Sequence, residues 1–168
     1  MIQSRRAIVS ALISLSLVWP LSVAHADQPF QRILPLLIDI EGWQAEKPKG
    51  MSMNTSDVNM TTATREYQRG PAQLHAGVIL GPAADVTLGP LESGMNLQTT
   101  SGHALTGTMQ GMQVLKTFNQ EEKSGTVIVG LGKEAVFNFG YDGLTEDEAV
   151  ALLEKFDLKA IQSAAQAK

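Results

Sequence analysis

The spacing of apolar positions changes twice along the chain. Between Pro29 and Ile38, the residues Phe30, Ile33, Leu34, Leu37 and Ile38 recur three and four apart, which puts them on one face of a helix. Pro29 suits the first turn of that helix, whereas Pro35 lies inside it and predicts a kink or a split. Gly42-Trp43 ends the segment, and the Trp43 ring is expected to bury against a sheet with its N–H satisfied. The following stretch, EKPKGMSMNTSDVN from Glu46 to Asn59, is polar and broken by Pro48 and Gly50, so it predicts a loop.

From Met60 onward the period is two. Ala63, Arg65 and Tyr67 alternate with Thr62, Thr64 and Glu66, Gly70-Pro71 turns the chain, and Leu74, Ala76, Val78 and Leu80 line one side of a second strand. That is the pattern of an antiparallel hairpin. Gly81 to Gly94, with Pro82, Gly89 and Pro90, forms a connection with room for a short helix. Weak strands follow at Leu97 to Thr100 and Ala104 to Thr108. Better-defined ones run from Val114 to Phe118, Gly125 to Leu131 and Ala135 to Tyr141, separated by NQEEKS and GK in the spacing of a meander.

The helical period returns at the end. Thr145-Glu146-Asp147-Glu148 is a capping box with three acids at the positive end of the helix dipole, and Ala149, Leu152, Leu153 and Phe156 form the stripe behind it. Asp157 starts a further turn that carries Leu158 and Ile161. The fold class is therefore α+β, a curved antiparallel sheet of about five to seven strands with an N-terminal and a C-terminal helix packed against it.

Ahead of this domain lies an address. Arg5 and Arg6 precede an apolar run from Ala7 to Val18, Pro20 breaks any helix, and Ala24-His25-Ala26 supplies a small-x-small cleavage pattern before Asp27. The run is well short of the roughly 20 apolar residues a membrane span needs. Residues 1–26 are thus expected to be a cleaved signal peptide and residues 27–168 a single domain, periplasmic in a diderm bacterium, with no stable membrane insertion after cleavage. The arginines lack the fuller twin-arginine context, which favours export in the unfolded state and a cofactor-poor protein.

Composition narrows the chemistry. Of 168 residues, 43% are hydrophobic and 18% charged, an ordinary globular balance. The chain has no cysteine, which excludes disulfide frameworks, thiolate metal sites, thiol catalysis and a lipid-bearing cysteine. Its net charge is −4 and becomes more negative once Arg5 and Arg6 are removed, which argues against nucleic acid or an anionic membrane as partner.

The run from Leu34-Pro35 through Ile40-Glu41-Gly42-Trp43, the strand Thr64-Arg65-Glu66-Tyr67, the meander KTFNQEEKSGTVIVGLGKEAVFNFGYDG and the closing LLEKFDLKAI together resemble a group of small exported bacterial proteins with no assigned activity. In that group a Pro and Gly-Trp opening, an R-x-Y strand and a terminal FDL or IDL helix flank a curved antiparallel sheet. The order of elements also looks like the PsbP-like architecture, a sheet covered by helices near both chain ends. The resemblance implies a fold and no catalytic residue.

Catalytic patterns are scarce. The domain holds two histidines, His75 and His103, neither in a nucleophile motif. His75 alternates away from the apolar side of its strand and is expected in solvent. GLGKE at Gly130 to Glu134 lacks the helix that a phosphate cradle needs and reads as a hairpin turn. Glu121-Glu122 lies in a polar turn, the acids at Glu146 to Glu148 form the helix cap, and 5% aromatic content offers few sugar-stacking platforms. Methionine is the chemical oddity. Met51, Met53 and Met60, with Met109 and Met112, are soft thioether donors that, together with His103, suit Cu(I) or Ag(I). The competing and preferred reading is that they fill gaps in a core.

Three functions from different classes follow. The first is an exported, non-catalytic binding or accessory protein of the bacterial envelope, with an envelope protein or small ligand as partner and no cofactor. The second is a soft-metal binding or tolerance protein that uses the methionines. The third is a hydrolase or transferase whose site has no familiar motif.

Overall fold

The computed structural model describes residues 28–56 and 59–167; the expected signal peptide lies outside the described residues. Helix α1 (Pro29–Ile33) gives way to a 3-10 turn at Leu34–Leu36, the split that Pro35 predicts. The strands are β1 (Gln44–Ala45), β2 (Lys49–Asn54), β3 (Asn59–Arg69), β4 (Ala72–Leu80), β5 (Asn96–Gln98), β6 (Gly102–Met109), β7 (Met112–Asn119), β8 (Ser124–Gly132) and β9 (Ala135–Asp142). Helix α2 (Ala83–Glu92) joins β4 to β5, and α3 (Glu146–Leu153) and α4 (Leu158–Gln166) close the chain.

The nine strands of the described residues form one open sheet in the order β1-β3-β4-β9-β8-β7-β6-β5, with β2 also paired to β3, and every pairing is antiparallel. The fold class holds, with more strands than the five to seven expected.

Two sequence-based expectations are corrected here. The segment read as a loop contains β2, because an edge strand gains its backbone partners from β3 whatever the polarity of its side chains. Gly50 fits that strand under Phe30, whose ring occupies the space a side chain at this position would take. Trp43 is buried as expected and Arg69 lies 4.5 Å over its ring, but its Nε1 has no hydrogen-bond partner.

Strand register divides the side chains between two faces. One face carries Ala63, Val78, Phe137, Val129 and Val114 in a single cross-strand row, and α1, α3 and α4 cover it. On this face Gly125 opposes both Tyr141 and Phe118; a side chain there would strike the Tyr141 ring, which instead reaches across to stack with Phe118 at 6.5 Å. The other face is covered only in part, by α2, whose Ala84, Leu88 and Leu91 meet Leu115 and Val136. Helices thus lie on both sides of the sheet, and α2 fills the connection that the sequence left with room for a helix.

The R-x-Y strand has a structural role. Tyr67 donates its hydroxyl to the Ile38 carbonyl at 2.8 Å, and Arg65 donates to the carbonyls of Leu37 at 2.6 Å and Glu46 at 2.8 Å and pairs with Asp39. Together they fasten the irregular segment between the 3-10 turn and β1 to the sheet, satisfying carbonyls that no ladder reaches.

The capping box forms at α3. Glu148 donates its backbone N–H to the Thr145 hydroxyl at 3.3 Å, and Thr145 donates its own N–H to the Glu148 carboxylate at 3.0 Å. These bonds from Thr145 hold the Glu148 carboxyl below its ordinary range. Thr145→Ala is expected to cost about 1 kcal/mol at neutral pH, at least twice the cost of Glu121→Ala in the turn after β7. The contribution of the ionised Glu148 is present above its ordinary pKa of 4.5 and is lost as pH falls through its lower folded value. Urea midpoints of wild type and Thr145→Ala should therefore converge in acid; equal midpoints at pH 7 would contradict the cap.

Candidate functional site

The partly covered face is the place to look for recognition, because half of it is open and polar. Following the register across it, Gln44, Gln68, Gln73 and Asp142 form one row over β1, β3, β4 and β9. The adjacent row runs through Glu66, His75, Gly140, Thr126 and Thr117. Beyond it the face turns apolar, with Ile79, Val136, Ile128 and Leu115 under or beside α2. A strand side that alternates polar residues against a buried side is ordinary for a solvated sheet. Two adjacent polar rows beside a helix-covered half also make a ledge bounded by α2.

Two depressions occupy this ledge, with volumes of about 530 Å³ and 370 Å³. They share Glu66 and Gln73, and the smaller one continues over Thr126, Gly140 and Asp142. His75 lines the smaller one. Its side chain is solvent-accessible on the polar side of the strand, as the alternation predicts, and its Nδ1 lies 2.6 Å from Glu66 Oε1. Glycines shape the floor: a side chain at Gly77 would come within 3.0 Å of His75 Nε2, and Gly140 faces His75 across the β4–β9 pair. Where the polar rows meet the apolar half, Asn138 Oδ1 is buried with no hydrogen-bond partner.

A second cluster lies on the opposite face. His103 Nε2 and Lys116 Nζ each stand 2.9 Å from a different carboxylate oxygen of Glu146, the first residue of α3. The His103 ring packs at 6.0 Å from Phe118. The cluster shares the Glu146 carboxylate between His103 and Lys116, and no serine or tyrosine hydroxyl among the described residues is hydrogen-bonded to either imidazole. What it does is tie the start of α3 to β6 and β7.

The six candidate soft-metal ligands fall in three places. Met51, Met53 and Met60 lie together on the partly covered face at the β2–β3 edge, with Met53 directly opposite Met60. Met109 and Met112 close the β6–β7 hairpin against the main core. His103 is at the far end of β6 from Met109, roughly 20 Å along the strand at about 3.3 Å per residue, and is held by Glu146. No single ion can be shared by all of them. Sequence reasoning missed the Glu66–His75 pair and the Glu146 cluster; the one available signal was the alternation that put Glu66 and His75 on the polar sides of consecutive strands.

No family model, curated protein or solved structure matches this chain. Among the described residues, no helix is long and apolar enough to cross a membrane.

Proposed function

We propose that this chain is an exported, non-catalytic binding protein of the bacterial envelope, and that its recognition surface is the open polar ledge around Glu66 and His75. The observation that carries the reading is the pair of polar rows left bare beside α2, where amides, a carboxylate and an imidazole converge on a glycine floor. Such a set of donors and acceptors suits the polar surface of an envelope component, and Asn138 Oδ1 leaves one buried acceptor beside it. The acidic charge and the missing cysteines agree with a periplasmic protein that binds neither nucleic acid nor anionic lipid.

A photo-crosslinking side chain placed at Gln73, with the same probe at Glu154 on the other side of the sheet as control, tests this in the native envelope. The expected result is one dominant adduct from Gln73 and none of that mass from Glu154, with the adduct reduced about tenfold or more when Glu66→Gln and His75→Gln are combined, as for a buried or well-placed polar pair in an interface. Equal labelling from the two positions, or labelling indifferent to the double substitution, would overturn the assignment of the ledge.

A further inference from the structure

We propose that Met51, Met53 and Met60 form a site for a soft monovalent cation, Cu(I) or Ag(I), at the β2–β3 edge of the sheet. The proposal does not depend on the polar ledge and uses none of its residues.

Strand pairing supplies the geometry. Met53 and Met60 are directly opposed in the antiparallel pair, and Met51, two residues along β2, shares their face and is diagonal to Met60. Opposed Cβ atoms lie about 4.5–5.5 Å apart and diagonal ones about 7–8 Å. A methionine side chain is unbranched with three rotatable bonds, so three sulfurs rooted this closely can meet above the sheet while the backbone stays in register.

Packing explains Met109 and Met112 and fails for these. Met112 is 6% exposed and Met109 packs on the same core, as gap-filling thioethers do. Met51 and Met53 are 46% and 41% exposed, and Met60 belongs to neither core cluster. Met51 and Met53 face outward from the edge strand, with Met60 half-buried beside them on β3, so the three thioethers gain little from burial. Edge strands are ordinarily guarded by charge, and here the charge on the same face, Lys49, lies two residues before Met51 and is drawn to Glu46 at 2.7 Å.

The donor set decides the ion. Neutral thioethers favour soft cations such as Cu(I) and offer little to Zn²⁺, Mg²⁺ or Ca²⁺. Among the described residues there is no group of three His, Asp or Glu side chains placed to hold a harder metal. Three neutral ligands leave the ion its single positive charge, which suits an exchangeable site, and they carry no proton to release on binding.

Anaerobic titration of the purified protein with Cu(I) against a colorimetric chelator, repeated with Ag(I) and read by native mass spectrometry, tests the site. One ion per chain is expected. Met51→Leu combined with Met53→Leu, and separately Met60→Leu, should each weaken binding about tenfold or more, with the thermal midpoint unchanged because Met-to-Leu swaps keep volume and apolarity. Met109→Leu combined with Met112→Leu should leave affinity as it is. Affinity should also stay level between pH 5 and 8, since thioethers do not titrate. Absence of binding, binding undiminished in the Met51/Met53 double variant, or affinity that falls steeply below about pH 6.5 as for an imidazole ligand would each overturn the proposal. The crosslinking arms at Gln73 and Glu154 would be unaffected by that failure.

Discussion

Phe156→Ala is expected to be the most damaging single substitution in the domain, with a loss of about 3–5 kcal/mol. Phe156 follows α3, is 1% exposed, and inserts its ring between helices and sheet. Three aromatic rings meet it there: Phe137 at 5.6 Å, Phe139 at 5.8 Å and Tyr67 at 6.4 Å, the last edge-on at 88°. Truncation removes the transfer free energy of the ring, leaves a cavity walled by stiff sheet side chains, and forfeits aromatic pairings worth about 0.5–1.5 kcal/mol each beyond area. Against a total stability of about 5–15 kcal/mol, that approaches unfolding for a protein at the low end. The measurement is the urea midpoint with m compared between wild type and variant. A loss below about 1.5 kcal/mol would mean that the C-terminal helices do not depend on this ring for docking.

The second large effect appears in alkali. The chain has 2 tyrosines, Tyr67 and Tyr141, so phenolate absorbance of the whole protein reports on these groups alone. Burial pushes both up from 10.0 to about 12; Arg65 opposes the rise at Tyr67, and the Glu146 carboxylate adds to it at Tyr141. Each hydroxyl also donates to a carbonyl, Tyr67 to Ile38 at 2.8 Å and Tyr141 to Thr117 at 3.3 Å, bonds that only the protonated form can make. The folded chain keeps these protons where the unfolded chain has lost them. The stability they supply is therefore complete below pH 10 and disappears as pH rises through 12. A native sample at pH 11 should show little phenolate, and the same sample in denaturant should show nearly full absorbance. Matching titration curves near pH 10 would mean that neither hydroxyl is buried.

How much of this was legible in the sequence depends on how local each cause is. The split of the first helix follows from Pro35, the hairpin turn from Gly70-Pro71, and the α3 cap from Thr145 and Glu148 three residues apart, since each is chemistry within one turn of chain. Strand β2 was hidden because its burial pattern is almost wholly exposed and its reason for being a strand is its neighbour. Helix α2 was obscured for a similar reason: within a segment punctuated by Pro82, Gly89 and Pro90, only Ala84, Leu88 and Leu91 face the sheet.

The candidate sites show the same division. Period-two alternation was enough to assign His75 to the polar side of its strand, and the thioethers were conspicuous as residue types. Which residues share a face across strands depends on register, and register is decided by hydrophobic burial and turn geometry summed over the whole sheet. Only the assembled sheet set Glu66 against His75, placed Met53 opposite Met60 while drawing Met112 into the core, and brought His103 and Lys116 to one carboxylate at the start of α3. By itself the sequence determined periods, turns, caps and the chemistry excluded by the lack of cysteine, all of them properties of short stretches or of composition. The tertiary structure alone decided which distant side chains meet, because cross-strand pairing and layer packing join residues that no local pattern links.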